Sequence, residues 1–226
     1  MLMKAVLGFF LLFTASFIVP SVAISQETKA IKPPSPDELH SGVKLLMNRM
    51  LTLHPTPYRF HSWAEIRAEA KEFDNNVEHL DSTGVFLEAA RLLGMLRDAH
   101  SWVWIDDDAK RMGKAMPLRF WRFSDGVFVR AAAPKLSEFV GARVLAIGGV
   151  PIETAWKKLT DVQPGANDSM GTKSAQVFLE ITDYLRVLGL ANSDEMAVLR
   201  LQLPSGAIRD VESSRRGLFK PLGDMA

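Results

Sequence analysis

The chain has 226 residues, with 27 lysines and arginines, 26 aspartates and glutamates, and no cysteine. Its formal net charge of +1, without a cluster of cations, argues against a nucleic-acid partner, because such proteins concentrate basic residues that displace counterions from phosphate. The absence of cysteine excludes disulfides, thiolate metal sites, a cysteine nucleophile and a lipidated cysteine. A hydrophobic fraction of 47% at this length predicts a folded protein with a substantial core.

Residues 1–23 are predicted to be a cleavable signal peptide. Lys4 precedes an apolar run over 5–19, Pro20 interrupts it, and small residues at 21–23 form a cleavage site. The alternative, an uncleaved membrane anchor, needs about 20 apolar residues, more than this run supplies. Export of a cysteine-free, nearly neutral protein predicts a periplasmic or secreted location, with membrane contact only through the uncleaved signal.

A polar linker is predicted over residues 24–35, followed by a helical domain over 36–99. Ser35 and Ser62 each begin a capping box, which marks the start of a helix, and a third helix is predicted over 85–97. Apolar residues recur at helical spacing in all three segments. The side chains expected to face inward are Leu39, Val43, Leu46, Met50, Trp63, Ile66, Ala70, Phe73, Phe86, Ala89, Leu93 and Leu96.

The segment 100–212 is predicted to be a mostly antiparallel β region with helices, and 213–226 a flexible tail. The fold class is therefore α+β, with helices first. The predicted strands are 101–105, two strands within 117–130 joined by a turn at 124–126, 143–147, 197–203 and 207–211. The predicted helices are 152–159 and 174–188.

The sequence shows no self-contained active site. The five histidines include no pair at the i, i+4 spacing that places two imidazoles on one helix face, so no metal site is predicted. No phosphate loop, dinucleotide-binding motif or G-x-S-x-G elbow is present. We therefore expect neither a cofactor nor a nucleophile within these 226 residues.

Asp98 and His100 are the candidate site residues, because they lie where an apolar helix gives way to a predicted strand. In an extended junction residues two apart point the same way, so the carboxylate could orient the imidazole. The alternative is structural: Asp98 simply terminates the helix, and His100 is a hydrogen-bonded histidine under a loop. A lone histidine is weak evidence for general-base chemistry, so the residues alone leave both interpretations open.

Several short motifs resemble the tail-specific, or C-terminal processing, serine peptidases, especially the tricorn-type and chlamydial-protease-like branch. LLGMLRDAHSWVWI at 92–105 resembles their L-x-D-x-H-[ST] signature, and HPTPYR at 54–59 resembles their HP-x-x-YR loop. The segments 116–120, 125–129 and 140–152 resemble the strands of their PDZ-like region, although Ala142 stands where an acidic residue is usual. The resemblance implies the N-terminal half of such a peptidase, a helical domain followed by a PDZ-like one.

In that family the signature histidine is the general base of a serine endopeptidase, which makes His100 the matching base and Asp98 its orienting carboxylate. The family's nucleophile lies on a following α/β domain that these residues do not include. The resemblance thus implies an exported hydrolase of protein substrates in truncated, split or shortened form, inactive alone, whose partner is a catalytic domain or a second copy. The alternative is a stand-alone PDZ-like module that binds peptide or protein.

Four tryptophans also bear on peptide binding: Trp102, Trp104, Trp121 and Trp156. They could line a peptide groove, but aromatic residues at strand alternation are more often core.

The signal-peptide assignment predicts a mature N-terminus at Ile24, give or take a few residues, because the apolar run and small-residue site end there. N-terminal sequencing of the exported protein checks this. A chain that still begins at Met1 or Met3 would contradict it.

Overall fold

The computed structural model describes residues 33–98, 100, 101, 103, 115–193 and 196–214. The predicted signal peptide, nearly all of the linker, Trp102, Trp104 and residues 215–226 lie outside these ranges, so those predictions stay untested. The described chain confirms the α+β class, with helices first and an antiparallel sheet after them. Within the described residues no helix is both long and apolar enough to cross a membrane.

Three helices form the N-terminal region. They are α1 (Pro36–Leu53), α2 (Trp63–Asn76) and α3 (Ser82–Gly94), with a 3-10 turn at Val77–His79. Both predicted capping boxes are present, since the Ser35 and Ser62 hydroxyls accept from the amide three residues on while the glutamate there accepts in return. The third helix is displaced from the predicted 85–97: it begins earlier, where Asp81 caps the Gly84 amide, and ends at Gly94.

The predicted inward faces of these helices are largely confirmed. The buried residues of the cluster they form are Val43, Met50, Ile66, Ala70, Phe73, Val77, Leu92 and Leu96, and Leu39, Leu46, Ala89 and Leu93 pack against it partly buried. Trp63 was expected inside and is instead 49% exposed, with the Arg67 guanidinium 4.8 Å from its ring centroid. As the first residue of α2, it lies at the edge of the apolar stripe, where cation–π stacking replaces burial.

The sheet has six antiparallel strands in the order β1-β2-β3-β5-β6, with β4 paired to β3. Their bounds are β1 (Leu118–Phe123), β2 (Gly126–Ala132), β3 (Arg143–Ile147), β4 (Val150–Pro151), β5 (Met196–Gln202) and β6 (Ile208–Ser214). The two predicted hairpins are confirmed, although the last strand continues to Ser214 rather than ending at Val211. A short 3-10 helix, Pro134–Phe139, joins β2 to β3.

Helices α4 (Ile152–Val162), α5 (Asp168–Leu179) and α6 (Thr182–Val187) pack on one face of the sheet. A single helix over 174–188 was predicted, and this was wrong. The chain leaves the helix at Glu180 and Ile181, where Ile181 pairs with Ala115 and the Met116 amide donates to the Glu180 carbonyl at 2.7 Å. Helical periodicity cannot reveal a break that depends on pairing with a distant segment.

Helix α3 contributes to both hydrophobic clusters. Phe86, Leu87 and Ala90 belong to the larger cluster under the sheet, whereas Leu92 belongs to the helical one and Leu93 packs against it. The helical region and the sheet region therefore share an element. The predicted division at residues 99 and 100 remains a prediction about domains.

A buried ion pair joins β1 to the end of α5. Nη1 of Arg119 lies 2.9 Å from Oε2 of Glu180, and the two side chains are only 7% and 10% exposed. Oε1 of Glu180 also accepts from the amide of Phe120 at 3.4 Å. Burial raises the pKa of Glu180 to about 7, because desolvation of the carboxylate outweighs the opposing effect of Arg119.

Arg119→Met removes the cation that faces Glu180, and we expect the resulting loss of stability to grow as pH rises from about 4.5 to about 8. Over this range Glu180 in the variant must either ionise without its partner or keep its proton, and both lower the free energy of unfolding. A folded-state pKa above the unfolded one means that stability falls as pH rises between them. At about pH 8 we expect a loss of about 3–5 kcal/mol in the free energy of unfolding. Urea unfolding across this pH range measures it.

The double variant Arg119→Met/Glu180→Gln is the control, since it has no ionisable group at position 180 and should lack the added pH dependence. A single variant equally destabilised at both ends of the pH range would contradict the assignment.

Candidate functional site

The first histidine of the candidate site ends α1. His54 is followed by Pro55 and Pro57, and a residue before proline is pushed out of the helical region, so α1 stops there in extended conformation. Nδ1 of His54 accepts a hydrogen bond from the Thr56 amide at 3.2 Å. That bond leaves the proton of a neutral ring on Nε2, which faces Asp98 at 3.7 Å.

The segment after α3, at Arg97 and Asp98, contacts the loop that follows α1. Arg97 adopts a left-handed backbone with φ of 50°, which is uncommon for a residue other than glycine and turns the chain sharply after the helix. Its guanidinium lies 5.5 Å from the ring centroid of Phe60, and that of Arg59 lies 5.2 Å from the same ring. The contact between Arg97 and Phe60 therefore joins the loop after α1 to the junction that carries Asp98, while the contact of Arg59 lies within the loop.

Asp98 is the centre of the site. Oδ2 accepts from the Ser101 hydroxyl at 2.7 Å, and Oδ1 accepts from the His100 amide at 3.2 Å. The pKa of Asp98 is lowered, first by the Ser101 hydrogen bond, then by the His100 amide and by the nearby imidazoles of His54 and His100. Its carboxylate is therefore ionised and already committed to two donors.

His100 lies in the open. Its side chain is 93% exposed, and Nδ1 is 3.7 Å from Oδ1 of Asp98, which is longer than a hydrogen bond. The two predicted site residues are thus brought together, while orientation of the imidazole by Asp98 stays a prediction. The described residues leave the His100 side chain exposed, and both interpretations of Asp98 and His100 stay predictions.

A cleft of about 470 Å³ opens beside these groups, between the end of α1 and the end of α3. Its apolar lining is Leu46, Met50, Leu53, Pro55, Leu93 and Leu96, and its polar lining is Arg49, His54, Asp98, His100 and Ser101. The arrangement places an exposed imidazole at the rim of an apolar surface. An imidazole in this position could exchange a proton with a ligand that packs against the apolar lining of the cleft.

Reasoning from individual residues missed the approach of His54 to Asp98. The signal for it was the HP-x-x-YR resemblance, which marked His54 without showing what it contacts. The other histidines are apart from the cleft: His40, for example, lies 2.8 Å from both Asp74 and Glu78, and its hydrogen bonds to these carboxylates raise its pKa. No group of acidic and histidine side chains in the described chain is arranged to hold a metal ion.

The predicted tryptophans divide between core and surface. Trp156 is 7% exposed and packs in the main core, whereas Trp121 is 39% exposed on the other face of the sheet, with the Arg130 guanidinium 4.6 Å from its ring centroid. Neither lines the cleft beside His100.

The architecture, helices followed by an antiparallel sheet with helices on one face, is one that solved serine protease structures contain. The chain resembles CPAF, a chlamydial serine protease, in a serine-to-alanine mutant and in the mature protein complexed with lactacystin. Sequence identity is 16% in both cases, and the TM-scores are 0.52 and 0.53. The match covers 79% of this chain and 34% of the CPAF chain, so the chain spans about a third of the CPAF length.

No protein-family model matches the chain, and no curated protein matches it. At 16% identity the likeness shows that the chain shares the fold of part of CPAF, which agrees with the sequence resemblance at that coarser level.

The hydroxyl of Ser101 should help to hold the pKa of Asp98 below its ordinary value. Ser101→Ala removes the largest contribution to the lowered pKa of Asp98, so that pKa should rise toward the ordinary range. An NMR titration of the Asp98 carboxyl carbon measures this.

Ser124→Ala, at an exposed turn, is the matched control and should leave the titration of Asp98 unchanged. A Ser101→Ala protein whose Asp98 titrates as in the parent would show that the hydroxyl does not set this pKa.

Proposed function

We propose that the chain is the N-terminal portion of an exported serine-type peptidase, in which His100 acts as general base once a nucleophile-bearing domain is supplied. The observation that carries the proposal is the exposed imidazole of His100 beside an ionised Asp98 at the rim of an apolar cleft. The likeness of the fold to CPAF supports it.

The chemistry requires a second domain. Ser101 lines the same cleft as His54 and His100, but its hydroxyl donates to Asp98 and so is not poised to pass its proton to a histidine. A base without a nucleophile and oxyanion donors supplies little catalysis, since these parts act as a unit. On this proposal the 226 residues alone do not cleave protein substrates.

Exposed apolar side chains on one face of the sheet, which they share with Arg143 and Arg200, support a docking role for a nucleophile-bearing domain. Cross-strand register places Trp121 and Phe123 of β1 on the face away from the helices, together with Val198 of β5 and Ile208 of β6. All four side chains are between 38% and 57% exposed. Exposed apolar surface of this kind favours association, either with a catalytic domain or with a second copy.

A second candidate function is a stand-alone PDZ-like module that binds an extended peptide or protein segment. The observation that favours it is that β1 is an edge strand of the sheet and that helix α5 runs alongside it. Strand addition at a sheet edge is a common mode of peptide capture. Export to the periplasm or the medium is proposed for either function from the predicted signal peptide.

The first proposal predicts a polypeptide that continues past Ala226 into a serine-bearing α/β domain, which sequencing of the downstream DNA checks. In that longer protein His100→Ala should lower kcat/KM on an unfolded protein substrate by about 10²–10⁴-fold, because a general base is lost.

His79→Ala, which removes another exposed histidine away from the cleft, should retain full activity and the same thermal stability. Equal activity of the His100→Ala protein, or substrate cleavage by the purified 226-residue chain that His100→Ala abolishes, would contradict the proposal.

A further inference from the structure

A groove of about 240 Å³ lies between α1 and α2. Its apolar floor consists of Val43, Met47 and Ala70, and Val43 and Ala70 are only 4% and 5% exposed. Pockets that enclose a whole small molecule usually exceed about 300 Å³, so the groove suits a single apolar side chain better than a larger ligand. It shares no lining residue with the cleft beside His100.

Three cations line the same groove. Lys44 follows Val43 on α1, whereas Arg67 and Lys71 lie one helical turn apart on α2. All three are exposed, and none forms an ion pair within the part of the chain that the structure describes. The guanidinium of Arg67 stacks on the ring of Trp63, a contact that leaves its charge without an anion.

The acidic residue of the groove lining, Asp74, already has a cation of its own. Its Oδ1 lies 2.8 Å from Nδ1 of His40, and Nε2 of the same ring lies 2.8 Å from Oε1 of Glu78. A carboxylate accepts hydrogen bonds, so both ring nitrogens donate and His40 is an imidazolium. The three groove cations together with this imidazolium outnumber the two carboxylates, which leaves the local charge positive.

Two further acids of α2 are on the side of the helix away from the groove. Burial raises the pKa of Glu88 on α3, and repulsion from Glu69 and Glu72 adds to this, so these two acids lie toward α3. At 3.6 residues per turn they fall opposite Arg67 and Lys71. Helix α2 therefore presents its cations to the groove and these acids to α3.

We propose that this groove binds an acidic polypeptide segment that carries one apolar side chain between carboxylates. The apolar side chain would contact the floor, while the flanking carboxylates would pair with the cation of α1 on one side and with the two cations of α2 on the other. The site goes beyond both candidate functions given above, and it involves neither His100 nor the sheet.

The recessed floor favours a polypeptide over an anionic membrane surface. Membrane-binding surfaces insert apolar side chains that project beyond the neighbouring charges, whereas Val43 and Ala70 are almost completely buried. A flat bilayer would therefore meet the cations without reaching the floor. A side chain that projects from a peptide can enter a groove between two helices, and its acidic neighbours complement the cations at the rim.

The experiment measures the binding of two fluorescein-labelled nonapeptides to the purified chain by anisotropy. One peptide has a central leucine flanked by glutamates, and the other has serine in place of the leucine. We expect the leucine peptide to bind at least about tenfold more tightly, because its side chain is removed from water on the apolar floor. Its binding should weaken as salt concentration rises, because salt screens the attraction to the cations.

Lys71→Glu should weaken binding of the leucine peptide by at least about tenfold, because it places a carboxylate against the incoming acids. Lys135→Glu is the matched control, since it makes the same change in net charge at an exposed lysine of the 3-10 helix Pro134–Phe139. It should bind the peptide as the parent does. Should circular dichroism show that Lys71→Glu is not folded, Lys44→Glu takes its place, because Lys44 lines the same groove from α1.

Absence of binding to the leucine peptide, equal binding of the two peptides, or equal binding by the parent and Lys71→Glu would each overturn the proposal. An equal loss in Lys135→Glu would overturn it too, since binding would then respond to net charge alone. Sedimentation with phosphatidylglycerol vesicles is the last comparison. A chain that binds these vesicles but not the leucine peptide would overturn the proposal in favour of a membrane surface.

Discussion

Glu180 ties the sheet to the helices that cover it. Its carbonyl accepts from Met116, its carboxylate contacts Arg119, and its Oε1 accepts from the Phe120 amide. These bonds fix where β1 begins and where α5 ends, so Glu180 links the first hairpin to α5. Because a buried carboxylate is stable only with compensating donors, the alignment of β1 against α5 and the ionisation of Glu180 depend on each other.

Asp98 has a comparable role in the helical region, although in a more exposed setting. It receives donors from Ser101 and His100 on its own segment and faces His54 from the end of α1. The left-handed turn at Arg97 directs the chain toward that meeting point. The cleft therefore lies where the segments that follow α1 and α3 meet, at the approach of His54 to Asp98 and the cation–π contact between Arg97 and Phe60.

The sequence predicted the elements whose signals are local. The capping boxes at Ser35 and Ser62 located α1 and α2, and the turn at 124–126 located the first hairpin. The break at Ile181 could not be predicted, because it depends on pairing with Ala115, far away in the chain. The approach of His54 to Asp98 is likewise a tertiary contact, for which periodicity gives no signal.

The same dependence on distant contacts bears on the chemistry proposed for His100. Its Nδ1 is 3.7 Å from Asp98, so orientation of the ring requires an approach of only about 1 Å, and catalytic hydrogen bonds often tighten in this way when substrate binds. With 93% of the side chain exposed, water now screens the attraction between the two groups. A docked domain would exclude that water and strengthen the attraction, so the same contact that supplies a nucleophile would also orient the base.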